Sequence, residues 1–191
     1  VTLEWKGTPV YSRERIGTWR GHLIDPFDLD ATLVDIVDIA HSLARLCRYN
    51  GHTEGHYSVA RHSILVAGRL AATGHPRDVQ LAGLLHDAAE AYLGDMTSPL
   101  KRRPEMAPYR DAEDRAQKVI AGVFGLPHPL PDVVYDADTL VALEREMPYP
   151  HGLAHAYWGE ACDDEFEFLA CYHDLTRTMP EVPSDPDRDD P

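Results

Sequence analysis

His86, Asp87, Glu90 and Asp95 stand close together in the stretch LLHDAAEAYLGD, residues 84 to 95. One imidazole and three carboxylates in so short a span suit two tasks, holding a divalent cation and moving a proton. If the stretch is helical, at about 100° per residue, Glu90 lies about 40° and Asp87 about 100° from His86. Gly83 and Gly94 fall on the same side, whereas Leu81, Leu84, Leu85, Ala88 and Tyr92 fall opposite. The pattern predicts a helix with a core face and a narrow polar face, with glycines leaving open space beside the polar groups. Adjacent His and Asp fill only two coordination positions, so other ligands must come from elsewhere in the chain. His62 in YSVARHS and Asp136 or Asp138 in VVYDADTL are available. The two aspartates point about 200° apart on a helix, so they cannot both serve. A set of imidazoles and carboxylates suits Mn, Fe, Co, Ni, Zn or Mg.

The elements that must position these groups read as helices. Residues 31 to 49 carry Leu33, Ile36, Val37, Ala40, Leu43, Ala44 and Cys47 at helical spacing. NGHTEGH, 50 to 56, reads as a loop, and Ser58 as the cap of a second helix over 58 to 72. Pro76 opens a third, which carries the HD pair and stops at Gly94. TSPLKRRP reads as a connector, followed by helices near 105–124, 132–147 and 160–179. Residues 1 to 27 are irregular with β-type pieces, a ribbon packed on the body in which Trp5 and Trp19 act as core staples. The expected class is all-α, a bundle of five to seven helices forming a single domain over residues 1–179.

The tail PEVPSDPDRDDP, residues 180–191, is acidic and Pro-rich and reads as disordered. With 18 Lys and Arg against 32 Asp and Glu, the formal charge is −14, which argues against nucleic-acid polymers and anionic membranes as partners. An anionic substrate would therefore need a local cation. Three cysteines, Cys47, Cys162 and Cys171, form no CxxC pair, and no apolar run approaches a membrane span; both point to the cytoplasm.

The ordered set of Arg48, His62, His86–Asp87, Glu90, Asp95 and Asp138 resembles the HD-domain metal-dependent phosphohydrolases. HDAAEAYLGDMTSPLKR and CRYNGHTEGHYSVARHS look closest to bacterial 5′-deoxyribonucleotidases and phage-type deoxynucleoside triphosphate hydrolases. The resemblance covers residues 15 to 147. It implies an HD-domain bundle in which His62, His86, Asp87 and Asp138 bind the metal. Asp138 is preferred to Asp136 because ADTL matches the family's Ala-Asp pattern. It implies that Glu90 manages the proton of the attacking water and that Asp95 sits near the sugar. Arg48 would hold phosphate, Tyr49 would lie against sugar or base, and Lys101 and Arg102 are further phosphate contacts. The activity implied is hydrolysis of a nucleotide, above all a deoxynucleotide, by metal-activated water, releasing triphosphate or phosphate. A dimer is the family-level expectation.

A nucleotide-binding or regulatory HD module without turnover is the rival class, and such a degenerate site would be expected to have lost a ligand. Base deaminases carry HxE and PCxxC signatures that are missing here. A cyclic-dinucleotide phosphodiesterase would carry a GYP-type motif, also missing. HGLAH, with His151 and His155 four apart among prolines and a glycine, reads as a loop rather than a second metal site. His41 reads as a helix-face residue, and His52 and His56 are candidates to line the pocket.

Overall fold

Asp30 and Asp35 divide what the apolar spacing presents as one long first helix. The computed structural model describes residues 14–53, 55–143 and 161–177. Asp30 accepts from Thr32 N and heads a 3-10 turn, Ala31–Leu33. Asp35 accepts from Val37 N at 2.7 Å and caps α1, Ile36–Arg45. Each aspartate satisfies an orphan amide that a continuous helix would have paired within itself, so the helix starts later than its periodicity suggests. Replacing Asp35 with alanine should lower stability by about 1 kcal/mol, read as a shifted urea midpoint at constant slope.

Ahead of α1 lies an antiparallel ribbon of β1 (Ile16–Gly17) and β2 (Leu23–Ile24), in the register Ile16 to Ile24. Its turn is docked on α1. Arg20 N donates to Asp38 Oδ1 at 2.7 Å, and the Trp19 ring stacks on His41 at 4.1 Å between centroids. Trp5 lies outside the described residues, as do residues 1–13, HGLAH and the acidic tail.

After α1 the chain makes a 3-10 turn, Arg48–Gly51, in which Tyr49 (φ 56°) and Asn50 (φ 54°) are left-handed. Arg48 N donates to Tyr57 O and Val59 N to Leu46 O, so the two ends of this connection are pinned together. The helix α2, Val59–Ala72, follows with Ser58 as its cap, as the sequence suggests. It is the hub, packing on α1, on α3 (Arg77–Leu84), on α7 (Asp132–Val141) and on α8 (Ala161–Thr176). One core cluster joins Ile39, Leu43, Val59, Leu84, Leu85 and Phe168. A second, with Val66, Leu70, Ala82, Val134 and Val141, fills the space between α2, α3 and α7.

The expected third helix is not continuous. Regular α-helix ends at Leu84, residues 85–89 form turns, and helix resumes only as α4, Glu90–Leu93. The connector expected at TSPLKRRP contains a single-turn helix, α5 (Ser98–Lys101), with Pro99 in its first turn. The long α6, Ala107–Phe124, ends on left-handed Gly125. The fold is thus all-α with a small N-terminal ribbon, and the single turns α4 and α5 account for the elements beyond the expected number. Among the described residues no helix is long and apolar enough to cross a membrane.

Candidate metal centre

Three elements meet at one point. α2 brings His62, fully buried; the turn after α3 brings His86 and Asp87; α7 brings Asp138. His62, His86 and Asp87 each offer a ligand atom within 4.8 Å of the others. His62 Nε2 lies 2.8 Å from Asp138 Oδ1 and 4.0 Å from Asp87 Oδ2. His86 Nε2 lies 3.1 Å from Asp87 Oδ2 and 3.9 Å from Asp138 Oδ1. Asp138 therefore touches the group, whereas Asp136 is exposed.

The donor set fits a divalent cation. His86 Nδ1 meets Gly83 O at 2.8 Å, which makes Nδ1 the donor and leaves Nε2 to face the carboxylates. That is the usual arrangement of a ligating histidine, its far nitrogen fixed by a backbone carbonyl. Two carboxylates around two imidazoles call for positive charge. Burial alone would pull the His86 imidazole down, but Asp87 and then Asp138 outweigh it and push it up to about 9. Burial would raise the Asp87 carboxyl, yet His86, His62 and Arg48 hold it well below the ordinary carboxylate range. For Asp138 burial is likewise overcome, here by His62 and His86, and the shift is downward.

Glu90 behaves in the opposite way. It is 3% exposed, and burial pushes its carboxyl well above the usual range, with Asp87 and Asp95 adding to the effect. Lys101 Nζ lies 3.6 Å from Glu90 Oε1 and 2.5 Å from Glu113 Oε1. Burial works against the Lys101 charge, but the Glu113 hydrogen bond and attraction more than offset it. Asp95, half-buried, is raised by burial while Arg48 opposes. Arg48 Nη1 stands 3.5 Å from Asp87 Oδ2, with its guanidinium 5.5 Å from the centroid of the Tyr49 ring. Of the residues singled out in the sequence, Lys101 lines the cleft beside the cluster, whereas Arg48, Tyr49, Glu90 and Asp95 lie outside its lining and Arg102 is exposed and outside it as well. The two neighbouring histidines do not line it either. His52 is exposed, and His56 is held between Cys47 Sγ (3.0 Å) and Ala44 O (2.7 Å).

That cleft has a volume of about 280 Å³ and opens from His86, Asp87 and Asp138 towards Lys101, Arg110, Glu113, Asp114, Gln117, His128 and Tyr135. Sequence reading missed the α6 part of this wall. The signal was there: Arg110, Glu113, Asp114 and Gln117 recur at i, i+3, i+4 and i+7, a polar stripe on one helix face. Tyr135 precedes Asp138 by three residues and shares its face of α7.

Open space is not the reason for Gly83, and at Gly94 it is joined by a backbone requirement. A Cβ on Gly83 would run into Leu70 Cδ1 and lie 3.4 Å from Val66 Cγ1, so Gly83 serves the close packing of α3 on α2. Gly94 adopts φ 83° and ends α4, a conformation that favours glycine.

The chain is similar to an uncharacterized protein of Rhodobacter capsulatus, with 42% identity over 135 residues, and to the uncharacterized protein YfdR of Escherichia coli K12, with 39% over 114. Neither name states an activity. The matches take in 65% and 58% of this chain and 66% and 60% of the relatives, so the chain spans less than two thirds of the length of either. No family model matches it.

Proposed function

We propose that this chain is a metal-dependent phosphohydrolase of the HD type that acts on nucleotides, above all deoxynucleotides. The observation that carries the reading is the convergence of His62, His86 and Asp87, with Asp138 against the imidazoles, at the head of a cleft that also presents Lys101. A divalent cation bound there would lower the pKa of a coordinated water and offset phosphoryl charge. The chain's own residues supply the rest. Glu90 is placed to take up and return a proton, because its buried site tolerates the neutral carboxyl. Lys101 and Arg110, which line the cleft, and Arg48, beside Asp87, would meet a phosphate. Asp95 serves as acceptor for a sugar hydroxyl, and Tyr49 as a surface for sugar or base. In a chain with a charge of −14, the metal and these cations would be what makes a phosphate welcome.

The test is incubation of metal-stripped protein with deoxynucleoside mono- and triphosphates plus Mn²⁺, Co²⁺, Mg²⁺ or Zn²⁺, with products separated by chromatography. Nucleoside together with phosphate or triphosphate is the expected result, and only with added metal. Binding of nucleotide without turnover under every metal would instead mark a binding module.

A further inference from the structure

The HD pair lies where regular helix stops, although residues 85–89 contain neither glycine nor proline. In a continuous helix Ala89 N would donate to Leu85 O. That bond is open here, and one side chain occupies it. Gln117 Nε2 donates to Leu85 O at 2.7 Å, and Gln117 Oε1 accepts from Ala89 N at 3.2 Å. The amide of α6 is thus spliced between the two halves of a missing helical bond, and the three residues it brackets include His86 and Asp87. Gln117 is 8% exposed, and glutamine is the natural choice because one planar group offers both a donor and an acceptor.

We propose that Gln117 is a positioning residue for the metal ligands, holding residues 85–89 out of regular helix so that His86 and Asp87 face His62. The inference rests on reading that cluster as a metal site. Leu, Ala and Glu dominate residues 84–91 and favour regular helix; the turn's own bond, Ala88 N to Leu85 O at 3.1 Å, leaves Ala89 N unbonded within it, and Gln117 takes that amide up. Without the amide, Ala89 N can close onto Leu85 O. Neighbouring side chains would then diverge by about 100°, and the 3.1 Å approach of His86 Nε2 to Asp87 Oδ2 would be lost. The anchor from His86 Nδ1 to Gly83 O fixes one ring but cannot by itself keep Asp87 in place.

The test compares wild type, Gln117→Met, Gln117→Glu and a stability control, Ile24→Ala, which removes a buried side chain from β2. Co²⁺ is titrated into each metal-stripped protein by absorption spectroscopy, and the Tm of each metal-free protein is recorded. Gln117→Met should weaken Co²⁺ binding by about 10–100-fold, the usual effect of removing a group that orients ligands. Gln117→Glu keeps the acceptor for Ala89 N and loses the donor to Leu85 O, so it should fall between. Ile24→Ala should lower Tm with Co²⁺ affinity unchanged, showing that instability alone does not weaken the site. Wild-type Co²⁺ affinity in either Gln117 variant overturns the positioning role. Failure of the wild type itself to bind Co²⁺ overturns the metal reading beneath it, a result distinct from the first.

Discussion

Glu90→Gln should reduce kcat on the best nucleotide substrate by about 10²–10⁴-fold, the range general acid–base groups supply. The reason lies in the contrast between two neighbouring carboxyls. Asp87 is held ionised by His86, His62 and Arg48, as the proposed metal ligand would have to be, while burial and the charges of Asp87 and Asp95 bias Glu90 towards its neutral form. Environments that push two carboxyls apart assign one to charge and the other to proton traffic. Glutamine copies the shape and hydrogen-bonding of the neutral acid but cannot exchange a proton. Tm and metal affinity should therefore stay near wild type, with the loss confined to turnover. Turnover within threefold of wild type would remove Glu90 from the proton path and shift attention to Asp95.

Asp164→Ala should cost about 3 kcal/mol of stability, the low end of the range for breaking a buried ion pair. Arg61 and Asp164 are 6% and 1% exposed. Arg61 Nε donates to Asp164 Oδ1 at 2.9 Å, and Nη2 lies 2.7 Å from the same oxygen. Ser58 Oγ donates to the other oxygen while also capping α2 through Arg61 N. One carboxylate thus ties α8 to the first turn of the helix that carries His62. Its removal leaves a guanidinium out of water beside the partly exposed Glu167, whose charge is why the low end of the range applies. Restoring most of the loss with an apolar pair, Arg61→Met with Asp164→Leu, would show that the cost is an uncompensated charge rather than lost packing. A shift in the urea midpoint below 1 kcal/mol for Asp164→Ala alone would contradict the assignment.

What sequence could and could not show follows from which forces act locally. Ser58, an N-cap before an apolar run, and the metal-capable residue types at His62, His86 and Asp87 were legible in composition and spacing, whereas Asp138 was preferred to Asp136 only through the family resemblance. The broken turn at 85–89 was not legible, since its residues favour helix and the opposing group, Gln117, comes from another helix 28 residues beyond Ala89. The left-handed Tyr49 was hidden for a related reason. NG at 50–51 announces a turn, but nothing about a tyrosine announces φ 56°. Glu113 could have been found. Its place one turn from Gln117 on the polar stripe of α6 was readable, although its bond to Lys101 depends on how α5 packs against α6.

The most direct measurement is a crystal grown with Mn²⁺, with anomalous differences recorded at the manganese edge. One peak is expected per chain, within coordinating distance of His62 Nε2, His86 Nε2, Asp87 and Asp138 Oδ1. No peak there, or a peak held by other residues, would contradict the metal centre and with it the hydrolytic reading.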